Sequence, residues 1–254
     1  MDFYDRPLEH HPLALVMTVL VAQGLGAYLG HTLGKRGNAF AGSERDLNAI
    51  LGATLTLLGL IIGFTFAMAL NRYDQRKDLE VAEATAISAE FTRADLLPSD
   101  AAAQAHDLLS RYLRQRILFY QADDPAQLQQ IRSETERLEA ELWSSITHVV
   151  SSARDPVTAL AVSGMNNVLD SETQADAAWR FHIPVAVWLL MLLIAFAGNL
   201  LLGVGERRKH AAVLLILPVV ISIPFYLIAD IDSPRGGPIR VIPVNLTHLE
   251  AMGR

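Results

Sequence analysis

Long uncharged apolar stretches and one charged central block organise this chain. Four runs contain no Asp, Glu, Lys or Arg, and each is 19 to 24 residues long. At a helical rise of about 1.5 Å per residue, each run is long enough to cross roughly 30 Å of hydrocarbon. The pattern therefore predicts four membrane-spanning helices. They are residues 13–33, 47–70, 183–204 and 211–229.

The charged block after the second run, residues 71–180, has a helical pattern. The stretch DQRKDLEVAEATAISAEFTRADLLP consists largely of good helix formers and has no glycine or proline before Pro98. The second spanning helix is therefore predicted to continue beyond the membrane to Leu97. Counted from Asp46, a residue of the N-cap type, it would be about 78 Å long.

Three further helices are predicted in the same block. Ser99 or Asp100 is predicted to cap the first, the second begins at Pro125 after the turn QADDP, and the third follows Asp155 as its N-cap. No sustained alternation of apolar and polar residues indicates a strand, and no Asn-Gly or Asp-Gly hairpin occurs.

The predicted fold class is an all-α integral membrane protein. It has four transmembrane helices and a helical extramembrane domain between the second and the third. The predicted segments are a polar leader (1–12), transmembrane helix 1 (13–33), transmembrane helix 2 (47–70) continuing into a helical soluble domain (71–180), transmembrane helix 3 (183–204), transmembrane helix 4 (211–229) and a tail (230–254).

Glycines four residues apart mark one face of each of the first two spanning helices. Gly26, Gly30 and Gly34 belong to the first helix, and Gly59 and Gly63 belong to the second. Small residues at this spacing let helix backbones approach closely in lipid, where packing rather than hydrophobicity drives association. We therefore expect close helix packing at these faces, either within one subunit or at a seam between subunits.

The sequence does not indicate enzyme chemistry. It has no Gly-rich phosphate loop, nucleophile elbow or paired-histidine metal motif, and its lack of cysteine excludes disulfides and thiolate chemistry. The eight histidines have no ligand spacing. We predict no enzymatic activity, no cofactor and no metal site. The central block holds 18 acidic and 11 basic residues, which argues against nucleic-acid binding.

Two carboxylates, Asp230 and Asp232, follow the fourth run where its helix is expected to end. They would face the negative end of the helix macrodipole, so a compensating group is expected. Arginines of the tail, or Arg72 and Arg76 after the second run, would serve. The pair is predicted to form ion pairs. A weak cation site is the alternative, because hard cations such as calcium prefer oxygen ligands, although two carboxylates are too few to define one.

The second run ends in a ladder of large apolar residues that leads directly into charge. Ile62, Phe66 and Leu70 are four residues apart, so they lie on one slowly drifting face over about 12 Å of helix. The polar segment NRYDQRK follows without a helix breaker. Packing in a bundle core would explain such a ladder by itself. A ladder that runs straight into this segment resembles the second membrane helix of the bestrophin channels.

Over residues 50–240 the chain resembles the bacterial bestrophin-like family of unknown function, and more distantly the bestrophin ion channels. The resemblance lies in GFTFAMALNRYDQRKDLEVAEATAI, RADLLP and DIDSPRGGPIRV, and in the four-span layout. Bestrophins carry an Asp-Arg-Trp-Trp-Glu-like signature after the ladder. Asn71, Arg72 and Tyr73 stand here in place of the Asp, the Arg and the first Trp. Tyr73 and Asp74 replace the Trp pair, and no dense acidic calcium cluster follows the last span.

The resemblance implies an oligomeric ion channel, pentameric by analogy, in the bacterial inner membrane. Ile62, Phe66 and Leu70 would form the pore constriction. Arg72 and Arg76 would form a basic collar at the pore end and pair with carboxylates there, with a position at the lipid headgroups as the alternative. The implied partners are copies of the same chain, inorganic ions and the lipid bilayer.

Two other functions stay open from the sequence. One is a structural or interaction protein of the membrane that does not conduct. The other is a proton-channel subunit resembling flagellar and Tol-type stators, although the short GERRKH loop between the third and fourth runs lacks the long extensions of that family. Ion selectivity is also open, because bestrophin kinship suggests anions whereas a net negative block would enrich cations.

Overall fold

The computed structural model of the chain describes residues 12–35, 44–152, 155–205 and 211–253. Every regular element within these residues is an α-helix, which confirms the all-α fold class. Most of the predicted leader and of the two short loops lies outside the described residues. The helices are α1 (Pro12–Lys35), α2 (Glu44–Ala94), α3 (Ser99–Gln121), α4 (Pro125–Ser152), α5 (Pro156–Arg180), α6 (Val185–Gly205), α7 (Ala211–Asp232) and α8 (Val244–Ala251).

Four segments of the described chain are long and apolar enough to cross a membrane. They lie in α1, in α2, in the stretch from α5 into α6, and in α7. The chain forms two compact units. The membrane unit comprises the described residues up to Arg72 together with His182–Ile239, and the helical unit comprises Tyr73–Phe181 together with the described residues from Arg240.

Glycines bring α1 and α6 of the membrane unit into backbone contact. A Cβ atom on Gly30 would lie 2.0 Å from the carbonyl oxygen of Leu200, and one on Gly203 would lie 2.2 Å from that of Ala27. Both distances are far below van der Waals contact, so a larger residue would force the two helices apart. The glycine face of the first span therefore packs within the subunit.

The remaining glycines of the two predicted faces have different surroundings. A Cβ atom on Gly26 or on Gly34 would lie 2.9 Å from a carbonyl oxygen of α6, so both belong to the same close contact. Around the Cβ positions of Gly59 and Gly63 on α2, no atom of the described chain lies within 4 Å. The α2 glycine face is therefore open in the single subunit, and a seam between subunits stays a prediction for that face.

The apolar core of the membrane unit is built from side chains of all four of its apolar helices. The buried members of this core are Val19, Leu58, Met191, Ala195, Ile221 and Phe225.

Two prolines, Pro218 and Pro224, lie inside α7, and the helix continues through both. Each proline lacks an N–H group and so leaves one carbonyl of the preceding turn without its helical donor.

The second helix is one continuous element, as its sequence predicts. It has 51 residues and is therefore about 76 Å long. It begins at Glu44, so Asp46 lies in its first turn and is not its N-cap. It ends at Ala94 rather than at Leu97, because the residues before Pro98 form a turn. Proline disfavours the helical conformation of the residue that precedes it, which explains the earlier end.

Two helix starts test the capping predictions. Pro98, with φ −53° and ψ 145°, occupies the N-cap position of α3 and no side chain caps this helix, so the predicted cap at Ser99 or Asp100 is wrong. The prediction for α5 is confirmed. The Asp155 carboxylate accepts from the Thr158 N–H at 2.7 Å, and the Thr158 hydroxyl accepts from the Asp155 N–H at 3.1 Å. This reciprocal capping box satisfies two otherwise unpaired donors.

Aromatic side chains occupy the centre of the helical unit. Phe119 and Tyr120 of α3 and Trp179 of α5 contact one another edge to face, with ring centroids 5.2 to 5.6 Å apart. The tail joins the same core, because Leu246 and Leu249 of α8 are buried in it. The described part of the tail from Arg240 onward therefore extends the helical unit.

Candidate functional site

The predicted pore ladder lies at the border between the buried and the exposed side of α2. Ile62 and Phe66 are half-buried, and Ile62 packs against the apolar core of the membrane unit. Leu70 is 42% exposed. The three side chains share one helix face, as their spacing requires, and the subunit itself leaves that face partly uncovered.

Beside the ladder, α2 presents a wide apolar surface. The buried side of α2 is formed by Leu58, Thr65 and Ala69, each of which is at most 2% exposed. On the opposite side, Leu60 is 55% exposed and Phe64 is 67% exposed. An exposed apolar surface on a spanning helix can contact lipid, pack against a neighbouring subunit or line a hydrophobic pore.

Of the two predicted collar arginines, Arg76 lies in the interior of the helical unit. It is 1% exposed, and it donates from Nε to the carbonyl oxygen of Ala178 at 3.2 Å and from Nη2 to that of Phe181 at 3.1 Å. These carbonyls are at the C-terminus of α5, where helix carbonyls lack intrahelical partners and the macrodipole is negative. Arg76 therefore caps α5. Arg72 is half-buried, and its Nη1 has no hydrogen-bond partner within the described residues.

The two aspartates at the end of α7 accept hydrogen bonds from the main chain. Asp232 accepts from the Ile183 N–H with both oxygens, at 3.2 and 3.0 Å, and the His182 Nδ1 lies 3.9 Å from its Oδ2. Asp230 is fully buried and accepts from the Ile239 N–H at 3.1 Å. Backbone N–H groups thus supply part of the compensation for these carboxylates, and ion pairing with arginines stays a prediction.

The chain approaches the Asp230 carboxylate closely at Gly237. A Cβ atom on Gly237 would lie 1.4 Å from Asp230 Oδ1, so only glycine lets the chain after α7 fold over this carboxylate. Within the described residues, no group of three or more His, Cys, Asp or Glu side chains is arranged to hold a metal ion. The geometry of the pair favours an anchoring role, with Asp230 fastening the chain after α7 and Asp232 fastening the chain before α6.

Three polar side chains connect α1, α6 and α7 inside the membrane unit. Asn199 Nδ2 donates to Gln23 Oε1 at 3.0 Å, and Gln23 Nε2 donates to Ser222 Oγ at 3.5 Å. Hydrogen bonds between membrane helices contribute about 0.6 to 2 kcal/mol each, so this trio helps to fix the register of the three helices. Gln23 and Asn199 are 176 residues apart, and no spacing rule pairs them.

The helical unit contains a buried ionic cluster that sequence analysis missed. Arg116 of α3 is 1% exposed and pairs with Glu83 of α2 and, at 3.2 Å, with Glu172 of α5. The Tyr120 hydroxyl donates to Glu83 at 3.0 Å. The available signal was the position of Arg116 on the apolar face of α3, four residues after Tyr112 and four before Tyr120. An arginine at such a position needs buried carboxylates to compensate for lost hydration.

A second buried glutamate fixes the tail of the helical unit. Glu80 is 3% exposed, and its Oε1 accepts from the N–H groups of Asn245 at 2.8 Å and Leu246 at 3.0 Å. Its Oε2 accepts from the Asn245 side-chain amide at 2.7 Å. These N–H groups are in the first turn of α8, where helix donors are unpaired and negative charge is favourable. Glu80 therefore caps α8 from a distant part of the chain.

The fold and its sites define an all-helical membrane protein with four apolar spans and a helical domain between the second and the third. The chain belongs to the Bestrophin-like family, because it matches the Bestrophin-like domain over residues 14–246. This match confirms the resemblance found in the sequence. Bestrophins are a channel family and not an enzyme family. No curated protein matches the chain significantly in sequence.

Solved structures of bacterial bestrophin homologues from Klebsiella pneumoniae have a similar fold. One variant gives a TM-score of 0.64 at 14% identity, covering 94% of this chain and 98% of that chain. A second variant gives 0.64 at 14% identity, covering 93% and 99%, and a structure phased with zinc gives 0.62 at 14%, covering 93% and 98%. At this level of identity the similarity concerns the fold.

Proposed function

We propose that the protein is an oligomeric ion channel whose hydrophobic neck is formed by α2. The observation that carries this proposal is the exposed apolar side of α2 in a helix that continues for 51 residues without a break. Membership of the Bestrophin-like family supports the same conclusion, because bestrophins are typically ion channels. Ions would pass along an axis surrounded by the α2 helices of several subunits.

The ladder of Ile62, Phe66 and Leu70 is the proposed constriction. Its members share one face of α2, and that face borders the exposed side of the helix. Rings of apolar side chains at a narrow point of a pore exclude water, and an ion without its hydration shell meets a high barrier. Closure by such rings needs no charged gate.

Assembly is part of this proposal, since one α2 helix cannot enclose a pore. The open glycine face at Gly59 and Gly63 supports an approach by a neighbouring subunit, because small residues allow close contact between helices in lipid. A pentamer is the proposed stoichiometry by analogy with bestrophins. The implied partners are further copies of this chain, inorganic ions and the lipid of a bacterial inner membrane.

Of the two arginines of the proposed collar, Arg76 is assigned a different role. Arg76 caps the C-terminus of α5, so we assign it to the support of the helical unit. Arg72 has a buried Nη1 that lacks a partner within the described residues, so it is the better candidate for an electrostatic role near the pore end.

Ion flux in liposomes tests the proposal. The full-length protein, purified in mild detergent and sized by native mass spectrometry, is reconstituted beside protein-free liposomes as the control. We expect an oligomer and a flux of small ions above the control. A stable oligomer with no flux for anions or cations would favour the non-conducting membrane protein, and a monomer would contradict both assembly and conduction.

A further inference from the structure

The buried ionic cluster of the helical unit has a neighbouring carboxylate that forms no hydrogen bond with the guanidinium of Arg116. Arg116 hydrogen-bonds with Glu83 and with Glu172. Glu139 of α4 interacts electrostatically with these same three groups, and its Oε1 is buried without a hydrogen-bond partner in the described chain. A carboxylate oxygen in such a position lacks both water and a donor, which is costly when the group is ionised.

The charges around Glu139 do not balance. Three carboxylates, those of Glu83, Glu139 and Glu172, surround one guanidinium. Arg132 and Arg180 both pair with another carboxylate, that of Asp176. The cluster therefore carries an excess of negative charge when all of its carboxylates are ionised. Proton uptake by the carboxylate without a hydrogen bond is the simplest way to reduce that excess.

We propose that Glu139 is a proton-binding switch of the helical unit. With a proton, its side chain is neutral and α4 packs firmly between α3 and α5. Without a proton, its charge is repelled by Glu172 and Glu83 while Oε1 stays buried without a hydrogen bond, and the packing of α4 loosens. This proposal concerns the helical unit alone and does not depend on whether the protein conducts ions.

The electrostatics of the site agree with this geometry. Burial, helped by repulsion from Glu172, raises the pKa of Glu139 from 4.5 to about 7, although Arg116 acts in the opposite direction. A group with this pKa exchanges its proton at physiological pH. The titratable and charged groups that face Glu139 are Glu83 from α2, Tyr112 and Arg116 from α3, Glu136 from α4 itself, and Glu172 from α5.

The sign of the pH dependence follows from linkage. Below about pH 4.5, Glu139 is protonated in both the folded and the unfolded chain, so its contribution to stability is fully present. Between about pH 4.5 and 7, only the folded chain holds the proton, and stability falls as the pH rises. Above about pH 7 the contribution is lost.

The test compares Glu139→Gln with wild type, and with Glu136→Gln as the matched control. Glutamine keeps the shape of protonated glutamate and cannot ionise, and Glu136 is an exposed residue of the same helix. Thermal midpoints of the full-length protein are measured at pH 5.0 and pH 8.0. We expect Glu139→Gln to melt close to wild type at pH 5.0, where little of the contribution is lost, and roughly 3–6 °C above wild type at pH 8.0. Glu136→Gln should retain the wild-type fall between these pH values.

The proposal would be overturned if the thermal midpoint fell equally in wild type and in Glu139→Gln between pH 5.0 and pH 8.0. A constant loss of stability in Glu139→Gln at both pH values would also overturn it, because that result describes a packing defect. If Glu139→Gln does not fold, hydrogen exchange of wild type decides the question. Protection of residues 125–152 at pH 5.5 and 8.0, corrected for the intrinsic exchange rate, should be lower at pH 8.0. Unchanged protection would contradict the switch.

Discussion

Arginine side chains of the helical unit have different roles according to their burial. Arg116 is buried with its carboxylates, and Arg76 is buried against the carbonyls that end α5. Arg137 lies on the surface, where it pairs with Glu134 and Glu141. Exposed pairs contribute little because water and salt screen them, whereas removal of one partner from a buried pair leaves an uncompensated charge.

The first prediction concerns Arg116. Replacement by methionine keeps much of the volume but leaves Glu83 buried without its cation, and we expect the free energy of unfolding to fall by about 3–5 kcal/mol. Arg137→Met is the control, and we expect little change there. Adding Glu83→Gln to Arg116→Met should restore part of the stability. Thermal unfolding of the full-length protein in detergent measures all three, and equal stability of the two single variants would contradict a role for the buried pair.

The second prediction concerns Phe66 in the proposed neck. Replacement by alanine removes a ring from every subunit at once, so the constriction widens and retains water. We therefore expect a higher ion flux, or a permanent leak, from reconstituted Phe66→Ala. If Phe66 only packs inside its subunit, the same change creates a cavity and costs stability, by up to about 3–5 kcal/mol for a fully buried phenylalanine.

Phe64→Ala is the matched control for this experiment. Phe64 is two residues away, loses the same atoms and lies 67% exposed on another side of α2. We expect its flux to stay at the wild-type level. A Phe66→Ala protein that remains oligomeric and conducts no more than wild type would count against the neck. A gain of flux in Phe64→Ala alone would move the pore axis to the other side of the helix.

At the scale of elements, the two glycine faces separate contact within a subunit from open surface. The α1 face contacts the backbone of α6 so closely that no Cβ fits at Gly30 or Gly203. The α2 face at Gly59 and Gly63 meets no atom of the described chain within 4 Å. Equal spacing in the sequence therefore leads to two different environments, and substitutions should distinguish them.

The third prediction uses Gly30→Ala. The added Cβ would overlap the Leu200 carbonyl, so α1 and α6 must separate, and we expect a loss of about 1–3 kcal/mol of stability. Gly24→Ala on the same helix is the control, because nothing in the described chain outside the adjacent helix backbone lies within 4 Å of its Cβ position. Its stability should stay the same or rise slightly, since alanine is the better helix former. Thermal unfolding in detergent compares the two variants with wild type. A Gly30→Ala protein as stable as wild type would refute the close contact.

At the scale of the whole molecule, sidedness is the main topological question. If all four predicted spans cross the membrane, the sequence order predicts the leader, the helical domain and the tail on one side and the two short loops on the other. Basic residues are concentrated in the short loops, which favours cytoplasmic loops by the positive-inside rule. The bestrophin analogy requires the opposite arrangement, with a cytoplasmic helical domain. We favour the analogy, since the difference between the short segments is only about six basic residues against four.

The fourth prediction tests this topology with a single cysteine. The chain has no cysteine of its own, and Ser133 is exposed on α4, so Ser133→Cys carries one accessible thiol. With a cytoplasmic helical domain, a membrane-impermeant maleimide should label permeabilised cells and leave intact cells unlabelled. Labelling of intact cells would place the domain outside. The parent protein without cysteine controls for background labelling.

The spans and the continuous α2 could be predicted from the sequence because they depend on local properties. Uncharged runs of this length are candidate spans, and a segment that crosses lipid must be helical, since lipid offers no partner for backbone groups. Good helix formers without a breaker then carry α2 past Leu70. The ladder and the arginines after it could also be located, and their likeness to bestrophins followed from the order of residues in one segment.

The partners of the polar residues depended on long-range contacts. Arg76 caps a helix end more than 100 residues away, Asp232 binds a backbone N–H 49 residues earlier, and Arg116 joins carboxylates from two other helices. The environments of Gly30 and Gly59 differ for the same reason. Spacing along one helix defines which residues share a face. What that face meets depends on how distant segments pack, and no local pattern contains that information.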